Sequence, residues 1–410
     1  MLVHPRVDLR RLRRAYEKLS ARHDVLRLRF EPHKDTWQAV IEPPGRARIK
    51  EVDLGDQDDE VFLAEIARIA KAPMSMVGCL QSEMVLVHCG SRGDVLIWRV
   101  NHSISDGYGM SVLTEDLLKF LVGIPVLGQV VSHAEFVARY EDAPPHRAAE
   151  IRAYWEKLHE NPPPAPDIGR KAKGLPANVM NHGFEPRRLS ISPTESSLAR
   201  LREHATANAT NFASTMFSGF LEALCQNYDV DDLLFSTNVA RTNPALATFA
   251  GEATNIPILR YRPAGSGRMD HAARTLGAQL MDAIEHLPSK LLVRDSPYEH
   301  ALIAEGAFPR QFSCNHPRHA ALQSRSVFSS ILNTTPGAVA RFAGYSISAV
   351  DISEFSYSFY DLGFRVVGNQ NAEVLHLAYD GIGYTEGEIR ALADRICTLL
   401  NLEPSAITTG

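Results

Sequence analysis

The chain has 410 residues, of which 45% are hydrophobic and 22% are charged, the composition of an ordinary globular protein. A formal net charge of −5 and the lack of a long basic run argue against nucleic acid as a partner. No apolar run approaches the roughly 20 residues that a membrane span needs, and the first residues lack the apolar core of a signal peptide. The five cysteines are scattered, which is typical of reduced thiols. We therefore expect a cytoplasmic protein.

The first third of the chain predicts alternating helices and strands. Residues 8–23 carry their apolar side chains on one helical face, and Asp8 stands at the N-cap position. A second helix is predicted over 58–72, followed by two short strands within 76–89. Residues 94–100 have apolar side chains on both faces, which is typical of a buried strand.

The polar segment 101–107, Asn-His-Ser-Ile-Ser-Asp-Gly, separates this strand from a helix predicted over about 108–120. A loop between a buried strand and a helix is where a rigid scaffold presents a reactive side chain. His102 is the only titratable group in the loop whose unperturbed pKa lies near neutrality. Asp106 follows four residues later, and Gly107 is expected to supply the backbone freedom for a sharp turn.

This segment resembles the HHxxxDG motif of the condensation-domain acyltransferases. That superfamily includes chloramphenicol acetyltransferase and the condensation domains of nonribosomal peptide synthetases. The second His, the Asp and the Gly of the motif match His102, Asp106 and Gly107, while Asn101 replaces the first His. An amide can keep the hydrogen bond that the family's first His makes, so the replacement does not predict inactivity.

Other segments of the first half resemble the family in the same order. Residues 21–30 resemble the RHExLRTxF signature that follows the first long helix, and 37–40 fit the next strand. Residues 154–158 resemble the YWxxxL ending of the family's first half. Such domains carry a further strand and helix upstream of the helix predicted over 8–23. We expect that this protein lacks them or that its start is trimmed.

The proline-rich run that begins at Asn161 predicts a break between two lobes. We place an N-terminal lobe at 1–165, a linker at 166–186 and a C-terminal lobe at 187–410. The resemblance implies an α/β fold with two chloramphenicol acetyltransferase-like lobes, arranged as a V-shaped pseudo-dimer. It also implies that His102 lies at the floor of an active-site tunnel between the lobes.

The second half predicts further strands and helices, and one segment carries a specific resemblance. Residues 239–263 resemble the family's GRxxPELxxxxGxFxNTxPLR region, with Arg241 and Asn255 among the matching positions. In relatives this segment crosses back to the first lobe, and its Arg pairs with the motif Asp. The resemblance therefore implies an Asp106–Arg241 ion pair, and the alternative from the turn-forming composition is a solvated arginine. The other predicted elements are strands at 187–191, 233–238, 327–333, 359–366 and 374–379 and helices at 194–208, 212–228, 270–287 and 385–402.

Two further motifs contain residue types that could carry chemistry. Cys314, His316 and His319 are zinc-ligand types, but a structural site needs four ligands and no second cluster accompanies them, so we predict a solvated loop and no metal. Asp361 lies in a segment that resembles the family's YDLxLxV strand, and we expect it to be structural.

The chemistry implied by the resemblance assigns roles to the motif loop. Acyl transfer from a thioester needs an aligned acceptor, a base and stabilisation of the oxyanion. His102, as a neutral imidazole, is the expected base; on its own, a histidine after a strand would equally be a satisfied loop residue. Asp106, Gly107 and Asn101 are expected to shape the loop. No GxSxG elbow surrounds the loop serines, so neither is expected to be a nucleophile. The remaining candidates, expected to line the substrate tunnel, are Ser103, Tyr108 and Asn255.

The expected function is that of a free-standing condensation enzyme in nonribosomal peptide or polyketide biosynthesis. It would transfer an acyl group from a phosphopantetheinyl thioester on an acyl or peptidyl carrier protein to an amine or hydroxyl acceptor, which is a small molecule or carrier-bound. No bound cofactor is expected. The alternatives are a catalytically silent domain that binds a carrier protein, a coenzyme A-dependent O-acyltransferase, and an unrelated hydrolase or metalloenzyme that uses the HxxxD pair.

Overall fold

The computed structural model describes residues 1–34, 36–139, 146–175, 185–239, 243–263, 269–287, 297–304, 311–316, 339–350, 352, 360–369 and 372–409. Its contacts divide the chain into two compact units. Unit 1 comprises Met1–Tyr140, Asn243–Thr254 and Arg318–Ser353, and unit 2 comprises Glu141–Thr242, Asn255–Pro317 and Glu354–Gly410. Each unit combines a sheet with helices, so the predicted α/β class is confirmed.

Helices and strands are interspersed along the described parts of the chain. The helices are α1 (Leu9–Arg22), α2 (Asp59–Ala70), α3 (Gly107–Leu121), α4 (His133–Arg139), α5 (Ala148–Leu158), α6 (Glu195–Ala207), α7 (Phe212–Tyr228), α8 (Met269–Glu285), α9 (Pro297–Ala304) and α10 (Glu386–Leu400). The strands are β1 (Leu2–His4), β2 (Leu28–His33), β3 (Thr36–Ile41), β4 (Ile49–Asp53), β5 (Ser82–His88), β6 (Asp94–Val100), β7 (Pro186–Pro193), β8 (Leu233–Thr237), β9 (Ile258–Tyr261), β10 (Phe312–Asn315), β11 (Val339–Phe342), β12 (Tyr345–Ser348), β13 (Leu362–Asn369), β14 (Ala372–Asp380) and β15 (Pro404–Thr409).

The sheet of unit 1 places β6, the strand before the motif loop, at an interior position. The described strands follow the order β11-β12-β1-β6-β5-β4, with β4 and β5 parallel and the other pairs antiparallel. Helix α1 begins where predicted, because the Asp8 carboxylate accepts hydrogen bonds from the backbone N–H groups of Arg10 and Arg11. It packs against α3, and their apolar faces share one core. The strand and helix that hold the motif loop are therefore well anchored.

Unit 2 is built on a larger sheet. Its described strands follow the order β15-β7-β14-β13-β10-β8-β9, and β10 runs parallel to both of its neighbours. Helix α7 is buried along most of its length and packs against α8 and α10. Helix α10 starts at a capping box, in which Thr385 and Glu388 each bond the other's backbone N–H.

One helix belongs to a different unit from the lobe assigned to it. The helix predicted at the end of the N-terminal lobe is α5, and its Ile151 and Trp155 are buried in the core of unit 2. The indole Nε1 of Trp155 also donates to the carbonyl of His286 in that unit, at 3.2 Å. Three features stay predictions: the V shape, the tunnel and the boundaries 1–165, 166–186 and 187–410. The strand predicted at 327–333 lies outside the described residues.

The segment predicted as two short strands contains one, β5. The buried side chain of Gln81, directly before β5, donates to the carbonyls of Ser75, Met76 and Cys79. The segment before β5 pairs with β2 only at two isolated bridges, Arg29 with Leu80 and Phe30 with Val77, so it forms no continuous second strand. No helix within the described ranges is long and apolar enough to cross a membrane.

Candidate functional site

The motif loop leaves the end of β6 with a turn fixed by Asn101. The backbone N–H of Asn101 donates to the backbone carbonyl of Gln81 at 2.9 Å. The side-chain Oδ1 of Asn101 accepts from the N–H of Ser103 at 2.9 Å. This is an Asx-type turn, which an amide forms with its own backbone. The Nδ2 atom of Asn101 lies 2.7 Å from the sulfur of Met76. Asn101 thus bonds within the loop, while the side chain of Ser103 is exposed.

Asp106 is buried and connects two segments of unit 1. As the N-cap of α3, its Oδ1 accepts from the N–H of Gly109 at 2.6 Å. Its Oδ2 accepts from the N–H of Ala253 at 2.9 Å. Both oxygens therefore bind backbone N–H groups, which compensates for the burial of the carboxylate. Arg241, the partner implied by the resemblance, lies outside the described residues.

The glycine that the site needs is Gly109, and the expectation for Gly107 was wrong. Gly107 is absent from the residues with positive φ, and a Cβ added there would meet no atom within 4 Å. A Cβ on Gly109 would lie 2.3 Å from the carbonyl oxygen of Ala250 and 2.5 Å from Oγ of Ser105. The close approach of these backbones therefore leaves no room for a side chain at position 109.

The segment Asn243–Thr254, part of the predicted crossover at 239–263, belongs to unit 1. Its Phe249 is fully buried and stacks on Phe136 with ring centroids 4.4 Å apart. Ser105 Oγ donates to the carbonyl of Ala250 at 2.7 Å, and the hydroxyl of Tyr108 donates to the carbonyl of Ala247 at 3.3 Å. Tyr108 thus bonds to the segment. Asn255, the next candidate along the chain, belongs to unit 2, where its backbone pairs with Val239.

This segment brings a carboxylate to His102 that the sequence analysis did not identify. The imidazole side chain is 73% exposed, and its Nδ1 lies 2.5 Å from Oε2 of Glu252. The other oxygen, Oε1, accepts from the N–H of Thr254 at 2.8 Å. Glu252 occupies an unspecified position of the family pattern, between Gly251 and Ala253, so the pattern contains no signal for it.

The contact with Glu252 changes the charge of His102. It raises the pKa of His102 from 6.5 to about 8; the opposing effect of desolvation is smaller, and the charge of Asp106 adds a minor increase. At neutral pH the free site therefore holds mainly an imidazolium paired with a carboxylate. The neutral imidazole expected of the base is therefore the minor form of the free site at pH 7, because Glu252 stabilises the protonated form.

A second charged cluster lies in unit 2 and contains Asp361. Arg170 and Asp380 form an ion pair in which both side chains are fully buried. Asp380 Oδ1 also accepts from the backbone N–H groups of Glu185 and Ile382. Burial raises the pKa of Asp361 to about 7, the nearby charge of Arg170 opposes this rise, and the charge of Asp380 adds to it. The cluster is thus enclosed in the protein interior.

The motif weighed as a zinc site is only partly described. The prediction of a solvated loop is wrong for Cys314, which lies in strand β10 between two paired strands and is buried. Burial raises the pKa of its thiol well above the usual range. Nε2 of His316 lies 3.8 Å from Oε1 of Glu373. His319 falls outside the described residues. Within the described part of the chain, no three His, Cys, Asp or Glu side chains are grouped as metal ligands.

Comparisons with known proteins identify the family and the fold of the chain. The family model of the condensation domain matches residues 1–402. Surfactin synthase subunit 1 of Bacillus subtilis is 22% identical over 315 residues, 76% of this chain. The SgcC5 protein of Streptomyces globisporus has a TM-score of 0.69 at 19% identity, over 97% of this chain and 90% of its own. A solved structure that describes condensation domain-mediated chain release from the enacyloxin polyketide synthase has a TM-score of 0.73 at 16% identity. The match covers 97% of this chain and 76% of that one.

These solved structures share the fold of this chain, as the resemblance implied. The matched region is only 8% of surfactin synthase subunit 1, so the activity named for that relative belongs to a far longer protein. The family match extends over nearly every residue, and the His-x-x-x-Asp-Gly loop lies between a buried strand and a capped helix. The chain belongs to the condensation-domain family, whose members occur in nonribosomal peptide and polyketide synthases.

Proposed function

We propose that this protein is a condensation enzyme that transfers an acyl group from a carrier-protein thioester to an amine or hydroxyl acceptor. The observation that supports this most is the exposed imidazole of His102, which contacts Glu252 through Nδ1. Nε2 is then the ring nitrogen that faces an acceptor. The hydrogen bonds of Asp106 to Gly109 and Ala253 anchor the loop that carries this histidine, which supports its role as a positioned base.

In the proposed reaction the acceptor oxygen or nitrogen attacks the thioester carbonyl while Nε2 of His102 takes its proton. The tetrahedral intermediate then expels the phosphopantetheine sulfur, which receives that proton from the imidazolium. The products are an ester or amide and a free thiol, and the imidazole is regenerated. The N–H of Gly109 is bonded to Asp106, so other donors must bind the oxyanion.

The donor in this proposal is an acyl or peptidyl carrier protein, whose phosphopantetheine arm brings the thioester, so no resident cofactor is required. The acceptor is a small molecule or a second carrier-bound group. Two of the relatives named above support a role in natural-product biosynthesis: surfactin synthase subunit 1, and a condensation domain that mediates chain release from the enacyloxin polyketide synthase. Both amide and ester formation are compatible with a base at His102.

Intact-protein mass spectrometry tests the proposal. Carrier proteins loaded with a panel of acyl thioesters are mixed with amine and alcohol pools and with wild type, His102→Ala or His33→Ala. His33→Ala is the matched control, because it removes an exposed histidine at the end of β2. We expect acceptor-dependent unloading by wild type and by the control, and a roughly 10²- to 10⁴-fold slower rate for His102→Ala.

The outcomes also separate the alternatives. Equal unloading by wild type and His102→Ala would contradict His102 as the base. Carrier binding without unloading across the panel would favour a silent carrier-binding domain. Turnover with coenzyme A thioesters but not with carrier thioesters would identify a coenzyme A-dependent acyltransferase.

A further inference from the structure

Glu252 is held between two backbone attachments to the motif loop. On one side, the carbonyl of Ala250 accepts from Ser105 Oγ at 2.7 Å. On the other, the N–H of Ala253 donates to Asp106 at 2.9 Å. Glu252 therefore lies in a segment fastened to the loop that carries His102, so its backbone is fixed relative to the imidazole.

The carboxylate of Glu252 has a separate contact for each oxygen. Oε1 accepts from the N–H of Thr254 at 2.8 Å, which sets the plane of the carboxylate. Oε2 is a buried atom that lies 2.5 Å from Nδ1 of His102. Within the described residues no donor meets Oε2 in hydrogen-bond geometry, so its contact with His102 is that of an ion pair. A desolvated carboxylate oxygen requires a donor or a positive charge, and the His102 ring supplies one.

We propose that Glu252 is the positioning residue of the acyl-transfer site: its carboxylate holds the proton of His102 on Nδ1 and so keeps Nε2 free to act as the base. This inference rests on the proposed function. A neutral imidazole carries one N–H, and the partner of one ring nitrogen decides which nitrogen holds it. When Nε2 accepts the acceptor's proton, the same carboxylate stabilises the imidazolium, as the Asp does in Ser-His-Asp sites.

The pairing also sets the working pH of the site. The charged groups that act on His102 are Glu252, through the direct contact, and Asp106, through a weaker effect. With the pKa of His102 near 8, roughly a tenth of the free enzyme holds a neutral imidazole at pH 7. We therefore expect kcat/KM to rise about tenfold per pH unit below 8 and to level off above it.

Glu252→Gln is the decisive variant because its geometry is constrained. The N–H of Thr254 keeps the amide oxygen at the Oε1 position, so the amide NH2 faces Nδ1 of His102. Nδ1 must then accept, and the neutral ring carries its proton on Nε2, where it cannot act as a base. We expect kcat to fall roughly 10²-fold or more with little change in KM, and Glu252→Asp to recover part of the loss.

An NMR titration of the His102 ring measures the effect of Glu252 on its pKa in the absence of substrate. The ring signals of His102 are assigned by their loss in His102→Ala and followed with pH in wild type, Glu252→Gln and Glu65→Gln. Glu65 lies on α2 and pairs with Arg68, which makes it a matched control. We expect a midpoint near 8 in wild type and in the control, and a midpoint at or below the ordinary value of about 6.5 in Glu252→Gln.

The role of Glu252 and the proposed function can be contradicted independently of each other. A wild-type midpoint near 6.5, or the same midpoint in wild type and Glu252→Gln, would overturn the role of Glu252, and the wild-type measurement decides even if the variant does not fold. A midpoint that depends on Glu252, in an enzyme whose turnover survives His102→Ala, would leave the pairing intact and overturn the proposed function.

Discussion

The His102–Glu252 pair of unit 1 and the Arg170–Asp380 pair of unit 2 join similar groups in opposite environments. The His102 side chain is 73% exposed, whereas both side chains of the second pair are fully buried. An arginine stays protonated in proteins, while a histidine with a pKa near 8 exchanges its proton close to neutral pH. The exposed pair is therefore suited to proton transfer. The buried pair is enclosed by protein, so we expect it to affect the stability of the fold.

The largest effect on stability is expected from breaking the buried pair. Arg170→Met leaves Asp380 and Asp361 without the positive charge beside them, and an uncompensated buried charge costs about 3–5 kcal/mol. Urea unfolding measures the loss. Arg200→Met is the control, because it removes an exposed arginine paired with Glu403 and should change stability by less than about 0.5 kcal/mol. Similar values for the two variants would show that burial does not distinguish the pairs.

A pH-dependent effect of opposite sign is expected at Asp361. Its pKa is about 7 in the folded protein and about 3.8 in the unfolded chain, so between these values the folded state binds more protons and stability falls as pH rises. Asp361→Asn removes this charge. We expect the variant to be more stable than wild type at pH 8, by up to about 4 kcal/mol, and the gain to vanish toward pH 4.

Chemical denaturation across this pH range measures the difference. Asp394→Asn is the control, since Asp394 is an exposed residue of α10. A gain at Asp361 that did not change between pH 4 and pH 8 would rule out titration of this carboxyl as its source.

An intermediate effect is expected at Asp106. Both of its carboxylate oxygens accept from backbone N–H groups, those of Gly109 and Ala253. Alanine removes both bonds and an N-cap, which is expected to reduce stability by about 2 kcal/mol. Asparagine offers one acceptor and should recover only part of the loss. Thermal unfolding measures this series, and an asparagine variant as stable as wild type would contradict the two-acceptor arrangement.

The smallest effect on stability is expected from the exposed pair itself. Because folding raises the pKa of His102 from 6.5 to about 8, the stabilisation is complete below pH 6.5 and is lost as pH rises through 8. Solvent screening limits it to about 1 kcal/mol or less. The free energies of unfolding of wild type and Glu252→Gln should therefore differ slightly at pH 6 and converge at pH 9. A difference that grew with pH would contradict the assigned sign.

The sequence predicts the elements of this fold wherever local pattern decides the structure. The Asp8 cap, the buried strand β6 and the long apolar helix α7 all follow from composition and period. The short strand β1 was not predicted, because it depends on pairing with β12 and β6. Tertiary contacts also decide which glycine the site needs and which carboxylate meets His102. The residues that flank Gly109 do not predict that a glycine is needed there. Likewise, the residues that flank Glu252 do not predict its contact with His102.

The segment Asn243–Thr254 has a consequence for engineering. It comes from the second half of the sequence yet carries the carboxylate that contacts a histidine of the first half. A chimera that takes 1–140 from one relative and the remainder from another would therefore combine the histidine of one parent with the residue that the other parent has at position 252. Such hybrids are expected to inherit the pKa of His102 from the second parent, because the residue at position 252 sets that pKa.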